Sequence, residues 1–286
     1  MIMRSDDIIA SLEKKYLTDL LAKGQRMDNR DFWEGRPIEI IPNVIKKAEG
    51  SAMVKWGDTV VLAGVKAQLG APFPDTSNDG VITVNLELSP ISSPSYESGP
   101  PGPLAIEMAR VVDRGIRESK VLPMNGPKLC VVPGKTVWIL FVDIYILDDG
   151  GNLIDASALA AMAALANTRL NKVSIDEETE EVTLLEETEP LPRNGCVASL
   201  TYVKIDDMIL YDPNLIEDRG KNARFSVAIT DEGFICSMQK GETGIFLEEE
   251  IISIIEKASH RVKELIEIIE QHSQATELGE MFQFSF

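Results

Sequence analysis

Three arginines on one predicted helix have the clearest capacity for chemistry in this sequence. Arg110, Arg114 and Arg117 are spaced i, i+4 and i+7, so an α-helix places them on one face. Such a face can bind successive phosphates of a nucleic acid. It can equally be an ordinary surface on which the arginines pair with Glu107 and Asp113. The spacing alone leaves both interpretations open.

Two further sets of charged residues allow a chemical and a structural interpretation. Glu217 and Asp218 are adjacent carboxylates that could act as a catalytic pair. They follow residues 211–213, which predict a turn, and we favour a structural role for the pair. Arg26 and Arg30 precede the first predicted strand, where they could contact RNA or form ion pairs. We favour ion pairing for both.

The sequence predicts neither a metal site nor a disulfide framework. The cysteines are odd in number and scattered, and the two histidines lie far apart on a predicted surface helix. These residues are Cys130, Cys196, Cys236, His260 and His272. We therefore expect no cofactor.

The charge balance argues at first against nucleic acid. The 286 residues carry a formal net charge of -18, whereas phosphate contacts need Lys and Arg. Residues 175–190 contain acids and no base, which is typical of a solvated linker. A local basic patch elsewhere can still bind RNA if a partner supplies the rest of the field. With neither an apolar run that could span a bilayer nor a signal-peptide pattern at residues 1–10, we expect a cytoplasmic protein.

The order of predicted elements indicates an α+β protein built from two similar halves. Helices are predicted at 6–23, where Gly24 stops the helix, at 104–120, at 156–170 and at 247–273. Strands are predicted at 37–42, 51–56, 59–68, 81–89, 128–134, 136–148, 196–205, 208–212, 223–230 and 234–240. We expect an N-terminal helix (1–25), a first half (26–172), an acidic linker (173–190) and a second half with the long C-terminal helix (191–286).

Four short motifs, in this order and spacing, resemble those of the ribonuclease PH family over nearly the whole chain. They are RMDNR at 26–30, GSAMVKWGDTVV at 50–61, EMARVVDR at 107–114 and DGG at 149–151. Asn29 departs from the family pattern, which usually has glycine at this place. The resemblance implies a ribonuclease PH-like fold of two βαβ-type halves. It also implies phosphorolysis, in which phosphate attacks the 3′-terminal phosphodiester of RNA.

Phosphorolysis needs an anion site and an acid for the leaving oxygen, and the resemblance implies that this chain lacks both. Active members have Thr-Arg-Thr after the two glycines, whereas this chain has residues 152–155 (NLID). We expect Asp155 to repel a phosphate dianion. Arg224, six residues after Asp218, stands where active members have the Asp that serves as general acid. A guanidinium cannot give up a proton at neutral pH.

Residues 147–156 and the N-terminal helix are most similar to a non-catalytic branch of this family, found in the archaeal exosome. This resemblance implies a hexameric ring, a trimer of heterodimers with a catalytic ribonuclease PH-like subunit. It also implies an RNA-binding cap protein, single-stranded RNA as ligand, and no membrane. On this interpretation Arg110, Arg114 and, less strongly, Arg117 bind RNA. The alternatives are an active phosphorolytic 3′-to-5′ exoribonuclease and a structural scaffold that never contacts RNA.

Overall fold

A computed structural model of the chain describes residues 5–176 and 179–274. Its helices are α1 (Ser5–Leu21), α2 (Pro103–Ser119), α3 (Leu153–Ala166), α4 (Leu215–Gly220) and α5 (Glu248–Gln274). Its strands are β1 (Ile38–Pro42), β2 (Gly50–Trp56), β3 (Thr59–Gly70), β4 (Val81–Leu88), β5 (Cys130–Val132), β6 (Thr136–Asp148), β7 (Arg169–Ile175), β8 (Val182–Pro190), β9 (Val197–Ile205), β10 (Met208–Tyr211), β11 (Ala223–Thr230) and β12 (Ile235–Gly241). The α+β class, the N-terminal helix and the long C-terminal helix are confirmed.

The first half forms a sheet with the strand order β1-β2-β3-β6-β4, and the short β5 pairs with β6. β4 runs parallel to β6, and α2 lies in the connection between them. The β2–β3 hairpin turns at Gly57, whose φ of +57° favours glycine. Gly50 is required for close packing, because a Cβ there would lie 2.5 Å from the carbonyl oxygen of Ala164. The two glycines in the 50–61 motif are therefore needed for a close approach and for the turn.

The second half forms an antiparallel sheet with the order β10-β9-β11-β12. α3 lies between the two sheets and contacts β2, β3 and β9. Its alanine-rich sequence follows from this position, because small side chains let a helix approach both sheets closely. One continuous cluster of buried apolar residues spans both halves. α5 packs on β9, β11 and α3, and α1 places Leu17 and Leu21 against β9 and β10.

The acidic segment 173–190, which we expected to be a linker, is largely an antiparallel β-hairpin of β7 and β8. Aliphatic residues pair across the two strands, Val173 with Leu184 and Ile175 with Val182. Three lysines neutralise part of the acidic charge. The ion pairs are Lys172–Glu187, Lys128–Glu189 and Lys135–Glu180. The segment still joins the two halves, but its strands were not predicted, because the acids were weighted over the alternating aliphatic residues.

Candidate nucleic-acid interface

Helix α2 has one buried face and one arginine-bearing face. Pro103 occupies its first turn, and Lys120 ends it in a left-handed conformation with a φ of +56°. The buried face packs Ala105, Met108, Ala109, Val111, Val112, Gly115 and Ile116 into the core. Arg110, Arg114 and Arg117 are exposed on the other side, as the helical spacing predicts. The helix therefore presents all three guanidinium groups to a common surface.

The three arginines line a groove of about 610 Å³. Its other walls include residues 82–84 of β4, Gln239 of β12 and the exposed Phe73 from the loop after β3. β4 and β12 are the terminal strands of their sheets within the described residues. Helix α2 thus lies between two strand edges that no other described strand pairs.

Arg114 and Arg117 each reach one of these edges. Arg117 Nη2 donates to the carbonyl oxygen of Ile82 at 2.9 Å, and Arg114 Nη2 donates to that of Met238 at 3.3 Å. Arg114 also donates to Gln239 Oε1 at 2.8 Å. These bonds satisfy backbone acceptors that an unpaired strand edge leaves free. Each guanidinium carries five N–H groups, so both arginines keep donors for another ligand.

The pairing expected within α2 is only half correct. Asp113 accepts from Arg117 Nη2 at 2.6 Å, as the i, i+4 spacing predicts. Glu107 does not pair with a neighbouring arginine of its helix, because its Oε1 accepts from Arg224 Nη2 of β11 at 2.5 Å. Arg110 makes no hydrogen bond or ion pair within residues 5–176 and 179–274. Arg110 is consequently the most available cation of the groove.

Arg224 occupies a tightly defined place between β11 and its neighbours. In the sheet register it lies opposite Val203 of β9 and Gly241 of β12. A Cβ on Gly241 would stand 2.9 Å from Arg224 Nη2, so the glycine makes room for the guanidinium. The Arg224 side chain is only 8% exposed, and Glu107 is its counterion. The place where the family resemblance requires a proton donor therefore holds a buried cation.

The N-terminus of α3, where the resemblance places the phosphate, is closed by the protein itself. Gly151 has a φ of +89°, and a Cβ there would lie 2.5 Å from the backbone carbon of Asn214. The next residue, Asn152, is buried and donates from Nδ2 to Asp155 at 3.0 Å and to Asp212 at 2.8 Å. Carboxylates of the chain thus occupy the environment that a bound anion would need.

Asp155 differs from the expectation that it repels an approaching phosphate, because its side chain does not face solvent. Thr201 donates to it from the backbone nitrogen at 2.6 Å and from Oγ1 at 2.7 Å. Burial raises the pKa of Asp155 to about 7, although the hydrogen bonds from Thr201 and Asn152 act in the opposite direction. Asp155 is a structural acceptor that joins α3 to β9.

Asp212, at the end of β10, is the centre of a second buried polar cluster that the sequence did not reveal. Arg36 donates to it from Nε at 3.0 Å and from Nη2 at 2.7 Å, and Arg30 from Nη1 at 3.1 Å. Burial alone would raise the pKa of Asp212, but the hydrogen bonds and charge of Arg36 outweigh it and lower the pKa below its usual value. Neither Arg36 nor Asp212 belongs to a recognisable motif.

Arg26 and Glu217 have the structural role that we favoured. Arg26 Nη2 lies 2.6 Å from Glu217 Oε2, and both side chains are fully buried. Arg26 also donates to the carbonyl oxygens of Tyr211 and Asp212. Glu217 completes a capping box at the start of α4, which replaces the expected turn. The neighbouring Asp218 is partly exposed and pairs with Lys221 at 3.1 Å.

The described residues contain neither a metal-ligand cluster nor a membrane-spanning helix. No group of three or more His, Cys, Asp or Glu side chains there could hold a metal ion. None of the helices in 5–176 and 179–274 is both long enough and apolar enough to cross a bilayer.

Comparisons with known proteins agree with the geometry of both halves. A model of the 3′ exoribonuclease family, domain 1, matches residues 34–171, and the model of domain 2 matches residues 195–261. The exosome complex component Rrp42 of Thermococcus kodakarensis is 48% identical over 265 residues, which cover 93% of this chain and 97% of that protein. The protein of the same name from Pyrococcus furiosus is 47% identical over 267 residues, covering 93% and 96%.

Solved structures show the same similarity to exosome subunits. A chain from the Archaeoglobus fulgidus exosome with RNA bound to the active site aligns with a TM-score of 0.83 and 42% identity, covering 91% of this chain and 99% of that one. A chain of an archaeal exosome core aligns with a TM-score of 0.81 and 39% identity, covering 93% and 100%. The fold is therefore ribonuclease PH-like, and the chain belongs to the 3′ exoribonuclease family that includes ribonuclease PH.

Proposed function

We propose that this chain is a non-catalytic subunit of an archaeal-type exosome, a ring that degrades RNA from 3′ to 5′. In this ring it contributes to RNA binding and helps to structure the active site of a catalytic partner subunit. Relatives of nearly full length are named exosome complex components, and an exosome chain solved with RNA has a closely similar structure. The chain itself performs no phosphorolysis.

One observation carries the assignment of a non-catalytic role. The place of the expected proton donor holds Arg224, paired with Glu107, and the place of the expected phosphate holds the Asn152–Asp155–Asp212 cluster. Phosphorolysis depends on donors aimed at developing negative charge and on an acid for the leaving oxygen. Both places are filled by side chains of the chain itself that bind one another, so phosphate has neither an anion cradle nor a proton source.

The RNA contribution is assigned to the groove along α2. Arg110 is the main candidate for binding an RNA phosphate, because it is exposed and has no partner among the described residues. Arg114 and Arg117 add charge, but both also bind strand-edge carbonyls, so their share is smaller. The net charge of -18 means that the chain alone attracts RNA weakly, and a partner must supply further basic surface.

The proposed partners are a catalytic ribonuclease PH-like subunit, which alternates with this chain in a hexameric ring, and an RNA-binding cap protein. The sheets end in β1 and β4 in the first half and in β10 and β12 in the second, and such terminal strands support assembly, because exposed edges are normally paired or covered. Head-to-tail contacts that close on themselves give a ring instead of a filament. We place the complex in the cytoplasm and assign it no cofactor in this chain.

Phosphorolysis assays test the assignment directly. The purified chain is incubated with poly(A), inorganic phosphate and magnesium, and release of nucleoside diphosphate is measured. We expect no turnover from the chain alone, and turnover when a catalytic family member is co-expressed with it. Phosphate-dependent turnover by the chain alone would instead support the alternative of an active exoribonuclease.

The second alternative, a scaffold that never contacts RNA, is favoured only by the net charge of -18. The test compares an Arg110→Glu/Arg114→Glu complex with the wild-type complex in RNA affinity at two salt concentrations. A matched control is Lys46→Glu/Lys47→Glu, which makes the same charge change at exposed residues outside the groove. We expect the salt dependence of binding to weaken by about 0.7 per lost phosphate contact in the arginine variant only. Equal affinities and salt slopes in all three complexes would establish the scaffold.

A further inference from the structure

We infer that Arg224 positions the groove for RNA by holding Glu107 away from Arg110, so that Arg110 stays free to bind a phosphate. This inference rests on the proposed function. It assigns a positioning role to Arg224, which stands where active family members have the catalytic acid. Arg224 itself is a positioning residue, because its guanidinium is buried and does not line the groove.

Helix geometry alone would favour a different pairing. Glu107 and Arg110 are three residues apart on α2, a spacing at which opposite charges attract one another on a helix surface. The structure has Glu107 bound to Arg224 at 2.5 Å instead, while Arg110 has no partner within the described residues. A contact from β11 thus replaces the contact within the helix.

The preference of Glu107 for Arg224 follows from burial. Water already solvates the exposed Arg110, so a pair with Glu107 would stabilise it little. Arg224 is only 8% exposed, and a buried charge that loses its partner is strongly destabilising. The guanidinium is also fixed in place, because it packs where Gly241 has no side chain, 2.9 Å from the position of a Cβ.

This pairing changes the charge that RNA meets in the groove. Three acids line it beside the three arginines: Glu107, Asp113 and Glu118. Arg117 neutralises Asp113, and Arg224 neutralises Glu107 from outside the groove. Arg110 and Arg114 then remain with one acid, Glu118, so the groove carries one net positive charge. Without Arg224, Glu107 would cancel that charge and compete with phosphate for Arg110.

The test measures how tightly the assembled complex binds a fluorescein-labelled oligo(A) RNA, by fluorescence anisotropy at low salt. Arg224→Met removes the charge of Arg224, and we expect RNA affinity to fall by about two- to tenfold, since one attractive contact becomes an internal pair. Adding Glu107→Gln to Arg224→Met removes the competing carboxylate and should restore wild-type affinity. Arg110→Gln should weaken binding in the wild-type background and have little effect beside Arg224→Met.

Gly241→Ala keeps every charge and serves as the second perturbation if Arg224→Met does not fold or assemble. Its Cβ would stand 2.9 Å from Arg224 Nη2, so the guanidinium must shift; we expect a weaker contact with Glu107 and weaker RNA binding, which Glu107→Gln again restores. Wild-type affinity in folded Arg224→Met or Gly241→Ala complexes would overturn the inference, as would a failure of Glu107→Gln to restore binding. If Arg110→Gln also leaves affinity unchanged, the proposed RNA role of Arg110 falls as well; if it weakens binding, only the inference about Arg224 falls.

Discussion

The buried pair of Arg26 and Glu217 offers a sharp test of whether the adjacent carboxylates at 217 and 218 are structural or catalytic. Both side chains of the pair are fully buried at 2.6 Å, so Glu217→Gln removes the buried counterion of Arg26 and leaves it only the partly exposed Asp28, at 3.9 Å. Breaking a buried ion pair by removing one partner costs about 3–5 kcal/mol of unfolding free energy. The loss also weakens the capping box of α4, because Glu217 accepts from the backbone of Asn214.

Asp218→Asn is the matched control, because it neutralises the adjacent carboxylate. The Asp218 side chain is 29% exposed and pairs with Lys221, so its loss should cost at most about 1 kcal/mol. Guanidinium chloride unfolding, followed by circular dichroism, measures both variants and the wild type. We expect a midpoint clearly lower for Glu217→Gln and nearly unchanged for Asp218→Asn.

The same two variants separate stability from chemistry. At a temperature where all proteins remain folded, complexes containing Glu217→Gln should degrade poly(A) at the wild-type rate. Equal unfolding midpoints for the two variants, together with loss of degradation in Glu217→Gln, would refute the structural assignment and make this carboxylate a catalytic group.

Three other outcomes are expected. First, the folded state binds a proton on Asp155 more tightly than the unfolded state, because burial raises the pKa of this group from 3.8 to about 7. Its contribution to the free energy of unfolding therefore falls by about 1 kcal/mol per pH unit between pH 5 and 7 and stays constant above the folded-state pKa. Asp155→Asn should remove that slope in unfolding measured across pH, since an amide can still accept from Thr201 N–H and donate to its Oγ1; a slope identical to that of the wild type would contradict the shift. Second, Arg224→Asp alone should yield no nucleoside diphosphate from RNA and phosphate, because the α3 N-terminus remains closed; clear turnover would mean that the anion site has been misidentified. Third, an equimolar mixture with a catalytic partner should give one closed assembly by native mass spectrometry; a persistent monomer would argue against the ring.

Periodicity and turn chemistry were sufficient to predict most strands and the long helices, because each of these elements buries a regular apolar pattern. They failed for the hairpin of β7 and β8, where charge outweighs the apolar residues and the stabilising ion pairs come from distant Lys128 and Lys135. They also missed α4, which is only six residues long and depends on the capping box of Asn214 and Glu217.

In the candidate site, too, features set by local spacing could be predicted, whereas contacts between residues far apart in sequence could not. The shared face of Arg110, Arg114 and Arg117 follows from helical spacing and could be predicted. The partner of Glu107 could not, because Arg224 lies 117 positions further along the chain and reaches α2 only through the sheet. The burial of Asp155 was equally hidden, since its donor Thr201 belongs to β9.

Under the proposed function, these contacts would hold the non-catalytic state by interactions that go beyond the absence of two functional groups. Restoring an aspartate at position 224 would replace the guanidinium that binds Glu107 by a carboxylate, which cannot pair with it. The same change would release Glu107 toward Arg110 and weaken the surface proposed for RNA. At the other site, a phosphate would have to displace the hydrogen bonds that Asn152 Nδ2 donates to Asp155 and Asp212. A return to catalysis would therefore need coordinated changes on α2, α3 and β11, while each single change would damage either RNA binding or the core between the two sheets.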